Sequence, residues 1–195
     1  MKPLITSALF LLIVCLTACK TDYAELPTYS NTRQLQAVVE VPAGSNHKIE
    51  YNRQTKEFVN DKEAGLDRIV EFLPYPGNYG FIPSTELEPK GRGLGVFIIS
   101  ERIATGTVMD IIPVATLLLE HLDGNLEAVI VAVPARPSER VMDATDYRTL
   151  TREFPAAKDI IQKWFAHHNP TAQTKGVGWK DEQFAEKEIQ RWMKL

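Results

Sequence analysis

The chain has 195 residues, of which 44% are hydrophobic and 24% are charged, and its formal net charge is −3. This length suits one domain, and this composition excludes a wholly disordered chain and a multi-span membrane protein. The slight negative charge is atypical of proteins with a large basic surface, so we expect no nucleic-acid partner.

The first residues differ sharply from the rest of the chain. Lys2 is followed by an almost continuous apolar run over residues 4–16, which is typical of a secretory signal peptide and is short for a membrane-spanning helix. The run ends in Leu-Thr-Ala-Cys at 16–19, which resembles the bacterial lipobox, whose cysteine becomes the acylated first residue of the mature protein. We therefore predict a lipoprotein signal peptide over residues 1–19 with lipidation at Cys19; the alternative is an uncleaved N-terminal anchor.

A lipid anchor at Cys19 predicts a location in the bacterial cell envelope, with the membrane as a partner and the domain outside the cytoplasm. Lys20 follows the cysteine, and a residue other than Asp there resembles the signal that sorts lipoproteins to the outer membrane, so we favour that membrane. Residues 20–34 are polar and contain one proline, which predicts a flexible tether between the anchor and the domain.

Short apolar and β-branched segments, separated by turn residues, predict a mainly β domain over residues 35–195. The predicted strands are 35–42, 48–52, 57–60, 67–73, 94–100, 108–120 (bent or interrupted at Pro113) and 126–134. Strands this short and this closely spaced favour an antiparallel barrel.

The hydrophobic period changes near the C-terminus. Apolar residues at 160, 161, 164 and 165 share one helix face, and Ala185, Ile189, Trp192 and Met193 share another. We expect two amphipathic helices to pack on the barrel, with Trp164, Phe165 and Trp192 in the core. The fold class is therefore α+β, mainly β.

Distinct motifs occur in order along the predicted domain. They are VEVPAG at 39–44 with KIEY at 48–51, YPGNYGFIP at 75–83, VAVP at 131–134 and GVGW at 176–179. Together they resemble the soluble (family I) inorganic pyrophosphatases over residues 35–195. The resemblance implies a five-stranded OB-like antiparallel barrel with flanking C-terminal helices. It also implies hydrolysis of pyrophosphate, Mg²⁺ as cofactor and a possible homo-oligomer.

The resemblance further implies which residues surround a phosphate anion. By motif position these are Lys48, Arg68, Tyr75 and Tyr79. Arginine binds phosphate oxygens in pairs, lysine acts as a point charge, and a tyrosine hydroxyl can donate a hydrogen bond or position water. Tyr75, together with Glu50, is also the candidate for a catalytic role.

The family's metal-binding signature is altered. An aspartate triplet follows the NYG motif in the family, where it binds Mg²⁺ and activates the attacking water. The corresponding positions hold Lys90, Arg92 and Gly95, and Mg²⁺ requires oxygen ligands. The remaining candidates for metal binding are Glu40, Glu50, Asp123 and Glu127.

These observations favour a pyrophosphatase-family protein that binds pyrophosphate or a related phosphate anion but has lost Mg²⁺-dependent hydrolysis. In this hypothesis Lys90 and Arg92 supply the positive charge that the metal supplied, as phosphate-binding residues of a pseudoenzyme. The first alternative is a functional inorganic diphosphatase with an altered metal site, using Glu40, Glu50, Asp67, Asp123 and Glu127. The second is an envelope-anchored interaction module without a ligand.

Overall fold

The protein is described by a computed structural model that covers residues 20–87, 91–122, 124–169 and 174–194. The strands are β1 (Leu35–Val41), β2 (Ile49–Asn52), β3 (Glu57–Asn60), β4 (Lys62–Glu63), β5 (Leu66–Asp67), β6 (Asn78–Leu87), β7 (Arg92–Ile98), β8 (Val108–His121), β9 (Leu126–Pro134) and β10 (Thr174–Asp181). The helices are α1 (Tyr147–Glu153), α2 (Pro155–His167) and α3 (Glu182–Trp192). Within the described ranges, no helix combines the length and apolar character needed to cross a membrane.

Five strands close into a barrel in the order β1-β6-β7-β9-β8, and β8 pairs again with β1. This confirms the predicted five-stranded barrel. One detail of that prediction is corrected, because β7 and β9 run parallel and the barrel is mixed rather than wholly antiparallel. Strand directions cannot alternate around a closed ring with an odd number of members, so at least one neighbouring pair must be parallel.

Strand β8 is continuous through Pro113, where the sequence predicted a bend or an interruption. The register against β9 shifts between Pro113 and Ala115. Proline has no backbone N–H to donate to the ladder, so it is tolerated at an irregularity of this kind. The strand continues past this irregularity, and its far half pairs with both β9 and β10.

The core has two main apolar clusters on opposite faces of the sheet. Along β9, Val129, Val131 and Val133 join the cluster that contains Trp164 and Phe165 of α2. The alternate residues Ile130 and Ala132 join the cluster that contains Ile189 of α3. This alternation follows from the two-residue period of a strand. The two predicted amphipathic helices therefore pack against different clusters. Helix α1, which is only seven residues long, was not predicted.

The segment predicted as a flexible tether is instead packed on the barrel. The Asp22 side chain accepts from the Ala24 backbone N–H at the start of a short 3-10 turn (Tyr23–Glu25), and Ala24 is 1% exposed. The ring of Tyr23 contacts Tyr51 and Phe58 edge-on. Burial of this small apolar surface orders a segment whose composition is otherwise polar. Residues 1–19, with the predicted signal peptide and Cys19, lie outside the described residues.

Candidate anion-binding pocket

A pocket of about 70 Å³ opens beside the start of β7. It has a polar wall with carboxylates and guanidinium groups and an aromatic wall. The lining residues are Glu40, Glu50, Tyr51, Arg53, Tyr79, Gly80, Phe81, Gly91, Arg92, Gly93 and Gly95. Strands β1, β2, β6 and β7 thus each contribute residues to one small space.

Charged side chains form a chain of alternating sign, which we call the ion-pair chain (Arg92, Glu50, Lys48, Asp61, Arg68). Arg92 and Glu50 line the pocket, and the other three residues extend the chain beyond the lining. Glu50 Oε1 lies 2.8 Å from Arg92 Nη2 and 2.7 Å from Lys48 Nζ. Lys48 Nζ also lies 3.2 Å from Asp61 Oδ2, which accepts from Arg68 Nη1 at 3.2 Å. The structure therefore brings together three predicted phosphate-binding cations, and they alternate with two carboxylates.

Glu40 lies on β1, with its side chain in the pocket. Its Oε1 accepts a hydrogen bond of 2.7 Å from the backbone N–H of Tyr51. Burial, with a smaller contribution from the charge of Glu50, raises the pKa of Glu40 to about 7, against the opposing effect of the Tyr51 N–H and of Arg92 and Lys48. Glu40 therefore changes charge near neutral pH, which is unusual for a carboxyl group.

The two predicted tyrosines have different places. Tyr79 lines the pocket, whereas Tyr75 is 5% exposed and packs behind it, with ring centroids 6.1 Å apart. Tyr75 also packs on Trp164 at 4.5 Å. Burial is the largest effect that raises the pKa of both hydroxyls, so both are protonated near neutral pH. Each can donate a hydrogen bond, and neither can act as a phenolate base.

The Tyr79 hydroxyl lies close to Gly95, where there is no side chain to exclude it. A Cβ atom at residue 95 would lie 2.5 Å from Tyr79 Oη, closer than a carbon and an oxygen can approach without one of them moving. This position corresponds to one of the family's metal-binding aspartates by the resemblance. In this protein the hydroxyl of Tyr79 fills the place where such a side chain would begin.

The described residues do not fit a bound Mg²⁺ ion. No group of three or more His, Cys, Asp or Glu side chains within them could hold a metal ion. Glu40 and Glu50 lie in the pocket, but Glu50 Oε1 is already shared by two cations. Glu127 does not line the pocket and pairs with His121, Oε2 to Nε2, at 3.1 Å. Mg²⁺ requires several oxygen ligands in near-octahedral geometry, which this arrangement does not supply. Lys90 and Asp123 lie outside the described residues.

Sequence reasoning missed several residues at this site. Asp61 joins Lys48 to Arg68, and Arg53 lines the pocket while donating to the Thr85 carbonyl at 3.0 Å. His168 lies outside the pocket lining and stacks on Trp164 with ring centroids 4.4 Å apart, and burial lowers its pKa. Asp61 and Arg53 lie outside the motifs quoted above, so the available signal was their proximity along the chain to Lys48 and Tyr51.

Comparison with known proteins shows which proteins this chain resembles. The family model described as "Inorganic pyrophosphatase" matches residues 37–195. The inorganic pyrophosphatase of Neisseria meningitidis serogroup B is 33% identical over 169 residues, which cover 82% of this chain and 89% of the relative. That of Aeropyrum pernix is 32% identical over 165 residues, covering 80% and 86%. The crystal structure of the enzyme from Thermus thermophilus is similar with a TM-score of 0.73 and 28% identity, covering 89% of this chain and 97% of that one.

Proposed function

This chain belongs to the inorganic pyrophosphatase family, and from that premise we propose that it binds pyrophosphate or a related phosphate anion and has lost Mg²⁺-dependent hydrolysis. The observation that carries the proposal is the ion-pair chain at the pocket. Lys48, which directly precedes β2, and Arg92 of β7 both contact one oxygen atom, as two cations would approach a phosphate oxygen.

The chemistry of the pocket suits an anion. Arg92 can donate two parallel hydrogen bonds to phosphate oxygens, and Lys48 adds a point charge. Tyr79 keeps its proton because burial raises the pKa of its hydroxyl, so it is a hydrogen-bond donor. Arg68 is connected to Lys48 through Asp61, which places a third cation beside the first two.

The same residues argue against metal-driven hydrolysis. Family members in general depend on Mg²⁺, which generates a strong nucleophile at neutral pH by lowering the pKa of a bound water. The pocket offers Glu40, which is partly protonated near pH 7, and Glu50, which is shared between Lys48 and Arg92. The family's aspartate positions hold Lys90, Arg92 and Gly95, so cations stand where metal ligands are needed.

The test uses the full chain purified in detergent. Calorimetry with pyrophosphate in the presence of EDTA measures binding, and phosphate release with and without Mg²⁺ measures hydrolysis. Lys48→Ala, purified identically, controls for traces of the host's own enzyme. We expect binding in the wild type, at least tenfold weaker binding in Lys48→Ala as a rough figure, and no Mg²⁺-dependent release from either.

Two outcomes would replace the proposal. Mg²⁺-dependent release that is present in the wild type and lost in Lys48→Ala would establish a functional diphosphatase with an altered metal site. Absence of binding to pyrophosphate and to phosphate at low salt would favour an envelope interaction module without a phosphate ligand.

We also propose that the protein is lipid-anchored at Cys19 in the cell envelope, with the outer membrane favoured. The layout of residues 1–19 supports this, and the packing of residues 22–30 would hold the barrel directly at the membrane surface. Cys19→Ala should abolish incorporation of labelled fatty acid and release the protein from membrane fractions. Cys15→Ala is the matched control and should leave both unchanged; equal labelling of the two variants would contradict the proposal.

A further inference from the structure

One oxygen atom of Glu50 contacts two cations that come from separate parts of the chain. Lys48 directly precedes β2, which belongs to a separate two-stranded sheet with β3. Arg92 begins β7 of the barrel. Glu50 Oε1 lies 2.7 Å from the ammonium nitrogen of Lys48 and 2.8 Å from the guanidinium of Arg92. The Glu50 carboxylate therefore links the β2–β3 sheet to the barrel.

The position of this oxygen has the features of an anion site. Two positive groups that would repel each other are held close by one negative oxygen between them. The Glu50 side chain is 30% exposed and that of Arg92 is 50% exposed, so a ligand from solvent can reach the oxygen's place. A phosphate oxygen there would receive the same pair of charge-assisted bonds.

We infer that Glu50 occupies the anion position of the pocket, and that a phosphate group binds by displacing the Glu50 carboxylate from Lys48 and Arg92. This inference rests on the proposed function, because it specifies where the anion binds and what limits its affinity. Glu50 is then an internal competitor, and the ligand is an oxyanion that bridges Lys48 and Arg92.

Internal competition has a measurable signature. When a site is available only in a minor open state, the apparent affinity of every ligand for that site falls by the same factor, which is the open fraction. Removing the competitor should therefore strengthen the binding of phosphate and of pyrophosphate by similar factors. Simple repulsion between charges predicts a larger gain for the more highly charged pyrophosphate.

Two substitutions of Glu50 separate these effects. Glu50→Gln removes the charge with little change of shape, and we expect binding of both anions to strengthen by about tenfold. Glu50→Asp keeps the charge on a side chain that is one methylene shorter, and we expect it to lose contact with at least one of the two cations. We expect it to strengthen binding by a few-fold, roughly threefold, whereas repulsion alone predicts no gain.

The matched control is Glu57→Gln, which removes the same charge from the neighbouring strand β3. Glu57 pairs with Lys20 and does not line the pocket, so this variant should bind both anions as the wild type does. Full-length variants are compared in detergent by calorimetry with inorganic phosphate and with pyrophosphate, after circular dichroism has shown equal folding.

The results distinguish this inference from the proposed function. If the wild type binds pyrophosphate and Lys48→Ala does not, but both Glu50 variants bind equally or more weakly, Glu50 positions the cations and the inference is overturned while the proposed function stands. If neither the wild type nor the Glu50 variants bind either anion, both are overturned. Stronger binding in both Glu50 variants, with Glu57→Gln unchanged, supports the inference.

Discussion

The two halves of β7 differ in what they contribute to the molecule. Val96, Phe97 and Ile98 are at most 1% exposed and pair with β6 on one side and β9 on the other. The first half, from Arg92 to Gly95, borders the pocket, and only Leu94 there points into the core. The second half of β7 thus belongs to the core of the fold, whereas its first half forms part of the pocket. Because these functions are separated along the strand, the pocket chemistry can change while the barrel is retained.

The prediction with the largest expected effect removes an aromatic ring, that of Phe97, from the second half of β7. Phe97 is 1% exposed and packs on Phe165 with ring centroids 5.6 Å apart. We expect Phe97→Ala to lower the free energy of unfolding by about 3–5 kcal/mol, because transfer and cavity costs add. Chemical denaturation measures the change. Leu126→Ala, at a side chain 70% exposed, is the control and should stay within about 0.5 kcal/mol.

A second test uses the pH dependence of Glu40 in the pocket. Its pKa is about 7 in the folded protein, against an ordinary value of 4.5. The folded state therefore binds more protons than the unfolded state between these two pH values, so the contribution of Glu40 to stability falls as pH rises from about 4.5 to about 7. Glu40→Gln replaces this carboxyl group with an amide that does not titrate, so the variant lacks this pH dependence.

We expect Glu40→Gln to be more stable than the wild type at pH 8, by roughly 1–3 kcal/mol, and to show no advantage near pH 4.5. Denaturation curves of both proteins across this range measure the difference. A constant difference between the two proteins at all pH values would show that Glu40 is charged throughout. For the same reason, pyrophosphate binding to the wild type should weaken as pH rises through 7, apart from the ligand's own titration.

The barrel and the pocket were not equally predictable from the sequence. Apolar runs and a change of period predicted two helices and four of the five barrel strands, because burial imposes those patterns. Strand β6 (Asn78–Leu87) was not among the predicted strands. The patterns do not specify strand direction, so the parallel pairing of β7 with β9 was missed. Lys48, Arg68 and Arg92 were predicted near phosphate, and the structure places them in one ion-pair chain. Asp61 between them was missed because it lies outside every motif, in the connection between β3 and β4.

The N-terminal segment, residues 20–34, shows a further limit of predicting structure from composition. Its polar residues predicted a tether, yet Tyr23 and Ala24 bury against the ring of Tyr51 and its neighbours. A few apolar contacts decide whether such a segment is ordered, and they become visible only when the partner surface on the barrel is known.

A third test concerns the close approach at Gly95. A methyl group there would meet Tyr79 Oη at 2.5 Å, so we expect Gly95→Ala to cost roughly 1–2 kcal/mol of stability through overpacking. In a Tyr79→Phe background the hydroxyl is absent, and the same substitution should cost clearly less. The double-mutant cycle, measured by denaturation, should give a coupling of roughly 1 kcal/mol. Equal costs in both backgrounds would show that Tyr79 moves aside freely.

The smallest expected effect on stability is that of Arg92→Ala, at the pocket end of β7. Its side chain is half exposed, and Glu50 keeps its 2.7 Å contact with Lys48 after Arg92 is removed. No buried charge is left without a partner, so we expect a loss of at most about 1 kcal/mol, as for other exposed ion pairs. Pyrophosphate binding should nevertheless weaken by at least about tenfold, because a charge-assisted donor is lost. Arg92→Lys keeps the charge but not the paired donors, so its affinity for pyrophosphate should lie between those of the wild type and Arg92→Ala. If Arg92→Ala destabilised the protein as much as Phe97→Ala does, the two halves of β7 would share one function, because residues of the pocket would then be holding the barrel together.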